Sequence, residues 1–337
     1  MNIIVDAFGG DNAPLAIIQG SAEAIKEFSV DITLVGDENI IRKVCKEQGI
    51  DPEIFTIVHS DSVISNEEAG SEIMKSKKDC SMAVGLKLLH SGEGDAFISA
   101  GNSGALCVGA TLLVKRIKGI SRPGFAPVIP GNTGCFMLID SGANLQVRPE
   151  MLRQFAVMGT VYMKNVMGIE NPRVGLANVG TEEHKGTELQ QEAYQLLKAS
   201  SLNFVGNIEG RDITADACDV LVCDGFTGNL ILKTYEGVAL ALMKKIKGIF
   251  MKNLKNKLAA LIVKKDVKGL KKQFDYSELG GAPILGVKKP VFKAHGNSDA
   301  VSFKNAIKLT KQFVERDVVG EITSHLEKNS AEEETGE

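Results

Sequence analysis

The chain has 337 residues, 44% of them hydrophobic, enough to bury a large core as one α/β unit or as two intimate lobes. Its net charge of -3 sets up no basic field for nucleic acid, and with 5% aromatics and no tryptophan it has little surface on which bases could stack. The opening MNIIVDAFGGDNAP has neither the basic start nor the long apolar run of a signal peptide. No window approaches the ~20 apolar residues of a membrane-spanning helix, so a cytoplasmic, at most peripherally attached protein is expected.

Taken in chain order, short apolar runs alternate with helical patterns. Ile3 to Val5 reads as a strand, Pro14 to Phe28 as a helix, Ile32 to Val35 as a strand and Glu38 to Gln48 as a helix. Phe55 to Val58 is a further strand, and Ala96 to Ile98 precedes a helical stretch over Asn102 to Lys118. Residues 124–147 differ, with Pro127, Pro130, Gly131, Gly134 and Gly142 around the apolar run Cys135 to Ile139, and read as strands and turns between two α/β halves. Val174 to Asn178, Phe204-Val205 and Val220 to Cys223 are later strands. This alternation predicts a three-layer αβα arrangement of helices on both faces of a mostly parallel sheet. Residues 1–325 are expected to form a single unit, and the polar, acidic residues 326–337 a disordered tail.

Glycine clusters recur at the predicted strand ends: VDAFGGD, SAGNSGA, NVGTEEHKG, CDGFTGN, GGAP and HGNS. In open α/β sheets ligands bind beyond the carboxyl ends of the strands, where small residues let backbone N–H groups approach an anion. Glycines close strands in most folds, so one such loop carries little. Six of them, interleaved with Asn, Ser, Thr and Lys, point to an anion site. The standard nucleotide motifs are absent: Gly92-Glu93-Gly94 precedes a strand rather than following one, and Gly180 to Gly186 inverts the Lys-Gly order of a P-loop. Ser103 lacks the flanking glycine pattern of a nucleophile elbow and is expected to contact phosphate or backbone. The histidines have no metal-ligand spacing, and Asp6, Asp11 and Asp224 beside glycines are expected to cap turns, so no metal is expected. The six cysteines are scattered without a CxxC pair, consistent with reduced, mostly buried thiols.

Residues 244–273 carry eleven lysines and one aspartate, a net of +10, leaving -13 on the remainder of the chain. Phe250, Leu254, Leu258 and Leu261 recur at three- and four-residue steps, flanked by Lys252 and Lys255. Such a basic amphipathic helix suits an anionic membrane surface or an acidic protein partner.

The ordered set VDAFGGDNAP, SAGNSGAL, IDSGAN, GTEEHKG, NFVGNIEGRDI, CDGFTGN and GGAPILGV, extending from Val5 to about Ala306, resembles the bacterial phosphate acyltransferase (PlsX) family. Each motif alone is weak; the ordered series is specific. Phe8, Ser103 and Ser141 stand where the family often has Met, Thr and Val. The resemblance implies a homodimer with a fold like isocitrate and isopropylmalate dehydrogenases and phosphotransacetylase. It also implies a reaction without a cofactor: acyl-[acyl carrier protein] plus inorganic phosphate gives acyl phosphate and free carrier protein, which feeds glycerol-3-phosphate acylation by a downstream acyltransferase. It carries catalytic roles to Lys185, opposing phosphate or oxyanion charge, and to Asn229, donating a hydrogen bond. Gly9, Gly10, Gly101, Asn102, Ser103 and Thr227 follow as substrate contacts, with Arg122, Arg211 and His184 as further candidates. Peripheral membrane attachment is also implied. The competing readings are a decarboxylating NAD-dependent dehydrogenase of the same fold and a non-catalytic scaffold for lipid synthesis.

Overall fold

The computed structural model describes residues 1–273 and 280–335. The first half alternates strand and helix as expected: β1 (Asn2–Asp6), α1 (Leu15–Phe28), β2 (Asp31–Gly36), α2 (Glu38–Gln48), β3 (Thr56–His59), α3 (Ser81–Ser91), β4 (Ala96–Ser99) and α4 (Ser103–Gly109). Then come β5 (Gly124–Phe125), β6 (Val128–Pro130), β7 (Cys135–Ile139), α5 (Pro149–Asn165), β8 (Val174–Asn178), α6 (Glu188–Lys198), β9 (Phe204–Glu209) and β10 (Val220–Val222). Three consecutive helices follow, α7 (Gly225–Met251), α8 (Leu254–Ile262) and α9 (Lys264–Gln273), and the chain closes with β11 (Ala282–Leu285), β12 (Val291–Lys293), α10 (Ala300–Glu315) and α11 (Val318–Thr335).

These strands make two sheets, of order β3-β2-β1-β4-β12-β11-β5 and β6-β7-β10-β8-β9. In the first, β3, β2, β1, β4 and β12 run parallel, with Ile3 opposite both Ile32 and Ala96. In the second, β7, β10, β8 and β9 run parallel and β6 returns antiparallel along β7. The central strands are buried on both faces and read as unbroken apolar runs, as a sheet covered on both sides requires. The fold is therefore α/β, as the alternation predicts.

One apolar cluster runs through both sheets, joining Ile3 and Val5 to Val220 and Leu176 by way of α5 and α10. Phe313 of α10 meets Phe292 of β12 edge-on at 5.1 Å between ring centroids and lies 6.0 Å from Tyr162 of α5. Gly20 lets α1 approach α10 closely: a Cβ there would sit 2.5 Å from the Ala300 carbonyl oxygen.

Four sequence expectations change. The helix expected over Asn102 to Lys118 is α4 followed by one π turn, Ala110–Val114, and it stops where Lys115 takes a positive φ of 74°. The tail expected from residue 326 continues as helix α11 to Thr335, its alanine and glutamates being good helix formers. The lysine-rich segment is not one helix: α7 ends at Met251, and Asn253 caps α8 by accepting a hydrogen bond from the Asn256 N–H at 2.9 Å. Phe250 is thus cut off from the stripe of Leu254, Leu258 and Leu261 and is half-buried, while those three are exposed. Finally, β11 and β12 were not anticipated, because they are four and three residues long and follow a charged stretch.

Candidate active site

Strands β1, β4 and β12 are neighbours and parallel, so the loops after Asp6, Ser99 and Lys293 leave the same sheet edge. The Asp6 carboxylate, buried at the end of β1, ties them together. Its Oδ1 accepts from the Ser81 hydroxyl at 2.7 Å and the Phe8 N–H at 3.2 Å, and its Oδ2 accepts from the Ser99 hydroxyl at 2.7 Å. Ser99 Oγ in turn accepts from the Gly101 N–H at 3.0 Å. Burial pushes the Asp6 pKa up, against the pull of these hydrogen bonds. The first loop is also sewn to the last: Asp11 N–H donates to the Gly296 carbonyl at 2.7 Å, and the Asn12 side-chain amide donates to the Asn297 carbonyl at 2.9 Å. Gly9 is required by packing, since a Cβ there would stand 2.6 Å from the Gly101 nitrogen and 2.7 Å from Asp6 Oδ2. Gly10 holds φ at +100°, open to glycine and strained for other residues.

The second sheet builds the facing wall. Asp140, buried at the end of β7, accepts from the N–H groups of Phe125, Gly142 and Ala143 at 3.0–3.2 Å through Oδ1, and from the Asn144 backbone and side chain at 2.6 and 2.9 Å through Oδ2. Burial raises its pKa, opposed by those donors. Helix α7 begins directly against this turn: a Cβ on Gly228 would lie 2.0 Å from the Asp140 carbonyl oxygen. Asp224 caps α7, taking the Thr227 N–H at 2.9 Å and the Thr227 hydroxyl at 2.7 Å. One turn further, Asn229 and Lys233, four residues apart and so on one helix face, reach the space between the sheets.

That space is a cavity of about 380 Å³, lined by Gly101 and Ser103 after β4, Ser141 and Gly142 after β7, Asn229 and Lys233 of α7, and Lys293, His295 and Gly296 at the end of β12. Lys293 donates to the carbonyls of Ala100 at 2.9 Å and Ala294 at 2.5 Å. Desolvation pulls its pKa down to about 8, offset in part by Asp11 and Asp6 and reinforced by Lys233. A second, larger hollow of about 730 Å³ flanks α7 on the side of Leu230, Ile231, Val238 and Leu242, with Ile213 and Tyr235 among its walls.

Of the residues singled out in the sequence, Gly101, Ser103 and Asn229 line the cavity. Gly9 and Gly10 shape it from behind. Asn102 is engaged elsewhere: its amide donates to the Ser65 and Glu68 carbonyls at 2.8 and 2.9 Å, and its oxygen accepts from the Ala105 N–H. Thr227 is engaged in the cap of α7. Lys185 sits in the loop after β8, beside β10 in the sheet order, half-buried and outside the cavity lining, with its carbonyl taking a bond from the Asn178 amide at 3.1 Å. His184 and Arg122 are exposed and also outside it, and Arg211 is turned to Glu209 at 2.6 Å and Asp212 at 3.6 Å. The residues that sequence reading passed over are Lys233 and Lys293. The signal for Lys293 is a lysine closing a short apolar strand directly before His295-Gly296, a placement that costs desolvation unless the charge is used.

All six cysteines are free, and each thiol has its pKa raised, first by burial. Cys107 is brought to about 11 and Cys218 to about 12, while burial, with Asp140 and Asp224 nearby, raises Cys223 well above the usual thiol value.

Comparison with known proteins agrees with this architecture. A family model described as "Fatty acid synthesis protein" matches residues 1–321. Over 327 residues the chain is 46% identical to a phosphate acyltransferase of Thermoanaerobacterium thermosaccharolyticum, covering 97% of each. It is 44% identical over 338 residues to a phosphate acyltransferase of Clostridioides difficile, covering 100% of this chain and 99% of that one. Among solved structures, a phosphotransacetylase from Streptococcus pyogenes superposes with a TM-score of 0.63 at 16% identity, covering 93% of this chain and 94% of that one. A putative 4-hydroxythreonine-4-phosphate dehydrogenase from Salmonella typhimurium gives 0.52 at 13%, covering 92% and 98%, so the fold is shared with a dehydrogenase as well as with phosphate-using transferases.

Proposed function

Because the chain belongs to the fatty acid synthesis protein family and is a phosphate acyltransferase, we propose that the cavity between its two sheets is where inorganic phosphate attacks an acyl thioester. A phosphate oxygen is already an anion and needs no protein nucleophile. It adds to the thioester carbonyl, the carbon–sulfur bond breaks, and the proton of hydrogen phosphate passes to the departing thiolate, giving acyl phosphate and a free carrier-protein thiol. What the protein supplies is position and charge compensation. Asn229, fixed on the first turns of α7 by the Asp224 cap and the Gly228 contact, is the donor we assign to the tetrahedral oxyanion. Lys185, at the adjacent strand end, is the cation we assign to the approach of the carrier-protein thioester. The apolar hollow along α7 gives a long acyl chain a place to lie outside water. The raised thiol pKa values argue for direct attack over an acyl-cysteine relay, since little thiolate exists at neutral pH.

The observation that carries this reading is the convergence of Asn229, Ser103 and two lysines on one cavity. Incubation with an acyl-[acyl carrier protein] and labelled phosphate, with acyl phosphate trapped by hydroxylamine, tests it. Release of free fatty acid without acyl phosphate would overturn it.

We also propose that the exposed apolar residues of α7 and α8 serve association. Leu254 and Ile262 are 75% and 84% exposed amid lysines, a combination that suits an anionic bilayer surface, and Leu240 and Ile249 further back, exposed and outside the hollow, suit a second copy of the chain. Among the described residues no helix is long and apolar enough to cross a membrane.

A further inference from the structure

Within the reading of the cavity as the site of acyl transfer, one question is what holds the inorganic phosphate. Lys293 has three ammonium protons. Two are taken by the Ala100 and Ala294 carbonyls, which fix the head group at the junction of the β4 and β12 loops. Lys293 also lines the cavity, within reach of a ligand held there. Lys233 lines the same cavity from α7, close enough that its charge disfavours that of Lys293. Two cations on one cavity, one from the end of β12 and one from α7, are mutually unfavourable without an anion between them. Glu236, one turn along α7, draws the Lys233 ammonium at 2.8 Å, while Asp6 and Asp11 stand behind Lys293 on the β1 side and His295 beside it on its own loop. The Asp6 carboxylate is already filled by Ser81, Ser99 and the Phe8 N–H, which leaves it a remote counter-charge and not a partner.

We propose that Lys293 and Lys233 form the seat for inorganic phosphate, with Lys293 as the fixed cation at the back and Lys233 as the more exposed cation at the mouth. Lysine binds phosphate as a point charge, tolerant of the rotation a small tetrahedral anion undergoes as it turns from bound ligand to nucleophile. Ser103 and the Gly101 loop line the same wall and provide short polar groups beside it. This seat is distinct from Lys185, which lies outside the lining.

The test is steady-state kinetics of acyl phosphate formation, with phosphate and acyl-[acyl carrier protein] varied separately, on the wild type, Lys293→Met, Lys293→Arg and Lys233→Met. The expected result is a rise of tenfold or more in KM for phosphate in Lys293→Met, a smaller rise in Lys233→Met, and no change in KM for the acyl carrier protein in either. In the wild type KM for phosphate should climb as pH rises through about 8, where Lys293 loses its proton. In Lys293→Arg, which stays charged, that climb should vanish. Thermal unfolding establishes that each variant is folded. A folded Lys293→Met with KM for phosphate within twofold of wild type overturns the seat. If Lys293→Met does not fold, an unchanged phosphate KM in Lys233→Met together with an unshifted alkaline limb in Lys293→Arg does the same. A wild type that makes no acyl phosphate refutes the acyl-transfer reading instead. In that case phosphate binding by isothermal titration decides the seat independently: binding that weakens above pH 8 in wild type but not in Lys293→Arg supports it, and binding that is absent from wild type, or that weakens equally in both, overturns it.

Discussion

At the carboxyl edge of the seven-stranded sheet the loops hold one another: Asp6 grips Ser81 and Ser99, Ser99 grips Gly101, and residues 11 and 12 are sewn to 296–298. At the edge of the five-stranded sheet the loop after β8 is held by its flanking elements, with the Asn207 amide of β9 on the Glu182 carbonyl at 2.9 Å and several contacts from α6. Asn178 reaches the Lys185 carbonyl, Gln191 reaches the His184 carbonyl, and Glu183 pairs with Lys198 on the surface. Between them lies the start of α7, packed as tightly as the first sheet through Gly225 and Gly228. Donors that must meet developing charge without rearranging belong to the tightly bonded kind, because a preorganised dipole costs no reorganisation at the moment of reaction. If the loop after β8 receives the carrier protein, as proposed, the other kind suits it.

The sharpest way to break this contrast is to truncate one side chain from each region. Asn229→Ala should lower kcat by about 10²–10³, roughly 3 kcal/mol in the barrier, at unchanged KM for phosphate. Lys185→Ala should express more of its loss in KM for the acyl carrier protein. If stopped-flow and steady-state data show the two variants losing the same parameter, the division of labour fails.

Packing gives the next test. Gly228→Ala forces a Cβ against the Asp140 carbonyl and should destabilise the fold by about 1–3 kcal/mol in urea titrations. Gly237→Ala, on the same helix with nothing within 4 Å of the new Cβ, should gain up to about 1 kcal/mol from helix propensity. Equal effects would mean that the start of α7 is not the anchored end.

A third test uses pH. Burial raises the Asp6 pKa, so the native state holds this proton more tightly than the unfolded chain does. Stability should therefore fall as pH rises from the ordinary carboxylate value through the raised one. Asp6→Asn removes that part of the slope, which chemical denaturation across pH 4 to 8 would reveal as a flatter curve. A slope identical to wild type would show that the carboxylate is not the pin of the first sheet's loops.

The smallest effect on chemistry and the clearest on location is expected at α8. Leu254→Glu with Leu258→Glu should abolish co-sedimentation with vesicles containing anionic lipid and leave turnover in solution intact. Retained binding would move the contact away from this helix.

The elements most legible in the sequence are those with uninterrupted local patterns: β1, β2, α1 and α2 fall within one or two residues of expectation, because burial on both faces writes continuous apolar runs and amphipathic helices write a 3.6 period. The glycine loops after β1, β4 and β10 were readable as a set. Their division of labour was not, since a glycine that admits a ligand and one that admits a neighbouring loop look alike in sequence. Gly9 and Gly228 prove to be the second sort. Asn102 and Thr227 look like ligand groups until their partners three residues away, or more than thirty, are seen. Lys293 is not legible because its strand has three residues and its place on the cavity is fixed by Ala100, almost two hundred positions earlier.

The reluctant thiols have a practical side. Every cysteine is buried or half-buried and carries a raised pKa, so an alkylating reagent at neutral pH reacts with the native thiols more slowly than with an exposed one. A fluorophore or spin label could therefore be installed on a single introduced cysteine, such as Leu261→Cys on the exposed face of α8, without first stripping the native six. The molecule comes ready for testing, by spectroscopy, whether that helix enters a bilayer.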